Sequence, residues 1–158
     1  CYTTYVQKRI LASGFLYHPK TEQILLHQLT SPSITTSSPH WSMFGGLNQK
    51  GENAQEAFAR VVYELINVRL YASHIYPVYD YFFHAANTIH YIFYAEVEKM
   101  PTFPLDSDTT LSWFTFKQTT KLTVREQTKP DIIISERVIH AQARDKELSM
   151  AAHAIITA

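Results

Sequence analysis

The sequence predicts a single α+β domain over residues 1–158, with a mixed β-sheet covered by helices. Three observations lead there. Apolar, β-branched and aromatic runs recur in pairs separated by turn residues, the pattern of β-hairpins. A periodic apolar pattern between Asn53 and Val68 reads as an amphipathic helix, and a second helical pattern opens at Thr128. The resulting order is β-β-β-α-β-β-β-α, within a length that suits one domain able to bury about two thirds of its unfolded surface.

The first hairpin joins "ILASGFLY" to "QILLHQL" within Arg9 to Leu29, turning at His18-Pro19-Lys20-Thr21-Glu22. Thr30 to His40, "TSPSITTSSPH", is rich in Ser, Thr and Pro and reads as a surface loop. "WSMF" then gives a short strand running into Gly45-Gly46, followed by a short polar loop and the first helix. The next hairpin pairs "YASHIYPVYDYFF" with "IHYIFYAEVE" across "HAANT", and "LSWFTF" supplies one more strand. In the second helix, Thr128 with Asp131 three residues later resembles a capping box, and Pro130 suits a first turn. The tail "KELSMAAHAIIT" extends this helix. No internal repeat is present.

Hydrophobic residues make up 46% and charged residues 18%, ordinary values for a globular protein. The 14 Lys plus Arg balance the 14 Asp plus Glu, and no basic cluster marks a nucleic-acid binder. The single cysteine, Cys1, excludes an internal disulfide and is compatible with a reducing compartment. No apolar run reaches the roughly 18 residues of a membrane-spanning helix, and no signal-peptide pattern appears. The expectation is therefore a cytoplasmic protein with neither a membrane nor a nucleic-acid partner. A first residue other than methionine marks the chain as processed, trimmed or part of something longer.

Glycine is scarce, and three of the four glycines, Gly45, Gly46 and Gly51, fall within seven consecutive residues. Glycine serves where φ must be positive or where backbone must come close to a ligand. A loop leading into a helix N-terminus also aims N–H groups and the positive end of the dipole at any anion. Asn53 is the expected N-cap, with Glu56 completing a capping box. Glu52, Glu56, Arg60 and Glu64 lie along one stripe at i, i+4 spacing, whereas Ala57, Phe58, Val61, Val62, Leu65 and Val68 look like core.

Gly46, five residues, Glu52, seven residues, Arg60 and then Glu64 resemble the box of the Nudix hydrolase family, G-x5-E-x7-R-E-U-x-E-E-x-G-U with U a bulky apolar residue. Gly46, Glu52, Arg60, Val62, Glu64 and Val68 match, and "WSMFGG" looks like the strand that delivers the family's paired glycines. The resemblance implies an α/β/α sandwich and cleavage of a diphosphate linked to another moiety, with Mg2+ or Mn2+ as cofactor. It also implies metal carboxylates one, four and five residues after the arginine. Here those places hold Val61, Glu64 and Leu65, and Asn67 replaces the glycine near the helix end.

Carried over residue by residue, the resemblance names Glu52, Arg60 and Glu64 as catalytic, and Gly45, Glu52 and Glu64 as metal ligands. The ion would be held weakly, completed by substrate phosphate oxygens. The competing reading of Glu56–Arg60–Glu64 is a solvated ion-pair ladder worth tenths of a kcal/mol per pair. Gly46, Tyr79 and Tyr81 are candidate substrate-binding residues, the tyrosines because one face of "YPVYDYFF" suits stacking on a nucleotide base. His84 and His90, beside the hairpin turn, and Asp106 and Asp108, ahead of Trp113, are candidate bases. Valine and leucine in place of two carboxylates are expected to gain burial and to weaken metal binding by orders of magnitude.

Two functions follow. One is a Nudix-type hydrolase of a nucleoside diphosphate linked to another moiety, with a reduced metal site and weak or atypical activity. The alternative is a catalytically inactive Nudix domain that binds a nucleotide or a protein partner. Family resemblance also implies that a homodimer is plausible. Selectivity would lie in the Thr30–His40 loop and the later hairpins.

Overall fold

The computed structural model describes residues 9–29, 40–101 and 110–157. Its spine is β1 (Arg9–His18), which turns through His18–Glu22 into β2 (Gln23–Leu29). Glu22 takes the left-handed φ of 52° that closes the turn. β1 changes partner along its length. Leu11 to Gly14 pair with β4 (Phe44–Leu47), and Leu16 to His18 pair with β2. Along its other edge β1 runs parallel to β6 (Thr88–Glu96), which carries β5 (Ile75–Phe83) antiparallel beyond it. β2 also pairs with β3 (His40–Ser42) and with β7 (Leu111–Thr115).

The period-two alternation of these strands builds two cores. Ala12, Leu16, Leu25 and Phe44 face α1 (Ala54–Ile66), packing on Ala57, Phe58 and Val62. Phe15, Tyr17, Ile24 and Leu26 point the other way and meet Phe116, Ile132 and Ile139. Phe116 opens the short α2 (Phe116–Thr119), and the isoleucines lie on α3 (Thr128–Thr157). A one-residue slip of β1 would exchange these two faces, so its register is strongly specified. Helices on both faces of a mixed sheet make the α/β/α sandwich implied by the sequence.

Three details differ from the sequence reading. The stretch before the glycines is two strands, β3 and β4, with Met43 between them, and both glycines lie inside β4. "LSWFTF" ends as a strand at Thr115, because Thr115 and Gln118 form a capping box that starts α2. Leu65 is not core but 40% exposed, whereas Val61 is 7% exposed. The tail does continue as helix: α3 runs 30 residues, and its side chains are exposed from Gln142 to Ile156.

Candidate active-site cleft

The helix that should bear the metal ligands is fixed at both ends by local chemistry. Asn53 Oδ1 accepts the Glu56 N–H at 2.8 Å and Glu56 Oε1 accepts the Asn53 N–H at 3.2 Å, the expected capping box. Glu56 is thus spent on the cap and takes no place in an ion-pair ladder. Asn67 closes the helix at φ 57°, ψ 30°, with its N–H on the Tyr63 carbonyl.

Gly45 and Gly46 pair with Ser13 and Ala12 across the β4–β1 ladder. Neither has a positive φ; among the glycines Gly51 takes that role at 81°. The paired glycines serve close approach. A Cβ on Gly45 would stand 2.5 Å from Ser13 Oγ, and one on Gly46 would stand 2.9 Å from Val61 Cγ2. The valine therefore sits directly against the glycine strand, in the room beside Gly46.

Arg60 gathers the acidic residues. Its Nε and Nη2 donate to Glu52 at 2.9 and 3.2 Å, Nη1 donates to Glu64 at 3.1 Å, and Nη2 also donates to the Leu47 carbonyl at 3.0 Å. Glu52 Oε1 further accepts the Gln49 N–H at 2.9 Å. The Arg60 hydrogen bonds, assisted by that backbone donor, hold the Glu52 carboxyl below its ordinary pKa against a smaller opposing effect of burial. With side-chain exposures of 15% for Glu52 and 23% for Arg60, this bidentate pair ties α1 to the loop after β4. Glu64 is 58% exposed, and its i,i+4 pair is worth only about 0.5 kcal/mol.

A cleft of about 280 Å3 opens beside these elements, lined by Gly45 and Ser13 of the sheet, Leu65 of α1, and Arg125, Gln127 and Asp131 around the start of α3. His27, Tyr81 and His90 line it as well. Leu65 occupies the place on this wall where the box would put a carboxylate. Opposite lies a polar cluster. Asp131, 3% exposed, accepts hydrogen bonds on Oδ1 from the Tyr79 hydroxyl and from Gln127 Nε2, the latter at 3.2 Å. No described residue donates to its Oδ2. Burial pushes the Asp131 carboxyl up, against the opposing pull of those two donors. Tyr81 shares a 2.9 Å hydrogen bond with His90 Nδ1, and its ring lies 5.3 Å from that of Tyr79. Burial lowers the His90 pKa, partly offset by the charge of Asp131, and raises that of Tyr81 to about 12. His27 Nε2 is 3.0 Å from the Met43 carbonyl, and burial lowers this histidine too.

The structure thus brings Gly45, Tyr81 and His90 to one cleft, with Tyr79 behind Asp131. Glu52, Arg60 and Glu64 form a neighbouring brace of their own. His84 lies away from both, exposed in the turn after β5 and edge-on to Phe82 at 4.5 Å. Asp106 and Asp108 fall outside the described residues, as does the Thr30–His40 loop apart from His40. Sequence reasoning missed Asp131, Arg125, Gln127, His27 and the exposed wall position of Leu65. Asp131 was legible only as a capping residue, and the structure spends its side chain on Tyr79, 52 residues away. A larger hollow of about 730 Å3 lies by the β1–β2 turn and the end of α1, but none of the expected site residues among those described lines it.

These residues do not fit a resident divalent cation. Val61 and Leu65 stand at two of the three helix places where the resemblance implies carboxylates, and no three His, Cys, Asp or Glu side chains among the described residues gather as a metal site.

Residues 8–134 match the family model of the NUDIX domain. The chain belongs to that family, whose enzymes generally use divalent metals. No match was found among curated proteins. Solved structures with the same fold include MutT of Aliivibrio salmonicida and Vibrio cholerae, with TM-score 0.62, 13% identity, and coverage of 79% of this chain and 92% of that one. The NUDIX domain of Shewanella oneidensis NrtR, solved with ADP ribose, has TM-score 0.65 and 11% identity, covering 88% and 93%. A C. elegans Ap4A hydrolase, solved as a binary complex, has TM-score 0.58 and 14% identity, covering 83% and 98%. At these identities the likeness establishes the fold.

Proposed function

We propose that this NUDIX domain binds a nucleotide-type ligand, a nucleoside diphosphate joined to another moiety, in the cleft between Leu65 and Asp131, without a resident cation. The observation that carries this reading is the pair Val61 and Leu65. The first packs against Gly46 and the second presents an apolar wall, at two places where the family's chemistry needs carboxylates. The polar wall suits recognition: Asp131 Oδ2 and the Tyr81 hydroxyl offer hydrogen-bonding atoms in a largely desolvated setting, where such bonds discriminate well. The described residues enclose about 280 Å3, room for one end of such a ligand. The ADP ribose bound by the NrtR domain makes adenine diphosphates the natural first probes.

Calorimetric titration with ADP-ribose, ADP, ATP and a diadenosine polyphosphate tests this, each followed by product analysis. The expected result is binding of at least one probe with no product formed. Failure of every probe to bind would refute the reading.

A second reading, slow hydrolysis with a weak, substrate-dependent Mg2+ or Mn2+, has one observation in its favour. Glu64 is exposed and held by a single surface hydrogen bond, so little opposes its turning to an ion shared with Gly45, Glu52 and substrate oxygens. Metal-dependent product release abolished by Glu64→Gln would favour this reading over the first.

A further inference from the structure

We propose that Arg125 supplies the positive charge that holds a ligand phosphate in this cleft, in place of a metal ion. This rests on the ligand-binding reading above and adds the group that balances the ligand's charge.

A diphosphate entering a partly desolvated cleft needs a counter-charge, and the residues around α1 provide no cation site. Arg60 is not available: its guanidinium is shared among Glu52, Glu64 and the Leu47 carbonyl. Among the described residues lining the cleft, the one lysine or arginine is Arg125. It stands in the segment leading into α3, exposed, and it has no ion-pair partner among the described residues. Its fork of N–H donors matches two phosphate oxygens, and an arginine is less heavily hydrated than a lysine, so it gives up water at lower cost.

The carboxylates that would oppose an anion here are also reduced. Leu65 contributes no charge to the wall, and Glu64 is paired with Arg60. Asp131 is the remaining carboxyl of the lining; burial opposes its charged form, and its Oδ1 is taken up by the Tyr79 and Gln127 donors. Leu65, at a place where the box would put a carboxylate, and an arginine with no ion-pair partner among the described residues line one cleft. Together they offer a ligand phosphate a cation that belongs to the chain.

The test is calorimetry in excess EDTA with three probes, ADP-ribose, ADP and adenosine, on the wild type and on Arg125→Ala and Arg125→Lys. Melting curves check that the variants fold, as expected of an exposed position. The wild type is expected to bind ADP in EDTA, and Mg2+ is expected to change that affinity less than about twofold. Arg125→Ala should weaken ADP-ribose and ADP by about tenfold or more while leaving adenosine unchanged, and Arg125→Lys should fall between. If ADP binds equally to wild type and Arg125→Ala, or if adenosine loses as much as ADP, the proposal is overturned and the cleft reading stands. If the wild type binds none of the three, the proposal is overturned, and if ATP and the diadenosine polyphosphate also fail to bind, so is the cleft reading.

Discussion

Val61 and Asp131 illustrate opposite uses of burial. Position 61, where the resemblance implies a carboxylate, holds a valine 7% exposed against Gly46, a burial worth about 1.5–2 kcal/mol. At position 131 a carboxyl is kept 3% exposed, although burial raises its pKa and so opposes its charged form in the folded state. A group whose folded pKa is raised contributes stability below its unfolded pKa and loses it as pH rises through the folded value. Asp131 therefore costs stability at neutral pH, which fits a residue kept for ligand contact. Asp131→Asn, which keeps the shape and the Tyr79 acceptor, should raise Tm at about pH 7. The gain should shrink toward about pH 4, where the wild-type carboxyl is increasingly protonated. Thermal melts at the two pH values check this, and a gain that is equal at both would contradict the charge argument.

In helix α1 the residues that match the box also brace the fold. The capping box was legible from spacing alone, whereas the Glu52–Arg60 clamp spans eight residues and was not given by the expected ladder, which paired Arg60 with Glu56. What the spacing could not reveal is how Arg60 divides its donors. The pair with Glu52 is bidentate and half-buried, and the pair with Glu64 is exposed. Glu52→Gln is thus expected to cost about 1.5–3 kcal/mol of unfolding free energy, and Glu64→Gln about 0.5 kcal/mol or less. Urea unfolding of both variants distinguishes a brace from a ladder; equal losses would mean that the two carboxylates play the same part. The strands were readable from alternation and turn residues. The split of β3 from β4 and the change of partner along β1 were not, since both depend on which edge of the sheet a distant strand occupies. The Asp131–Tyr79 contact was hidden for the same reason.

Seen as a molecule, the chain has the NUDIX sandwich, with the glycine strand beside a cleft of mixed character. Leu65 lines one wall, Asp131 and Tyr81 the other, and Arg125 brings the cation. The sequence reached the fold, the box and its two missing acids, but not the polar wall, because the start of α3 meets the cleft only through tertiary packing. Whether the cleft still takes a metal is decided by titrating Mn2+, in the presence of ADP, into the wild type and into Leu65→Glu, by calorimetry. The wild type should bind no Mn2+ tighter than about millimolar, and the added carboxylate should tighten binding by about tenfold or more. Micromolar binding by the wild type, lost on Glu64→Gln, would contradict the account.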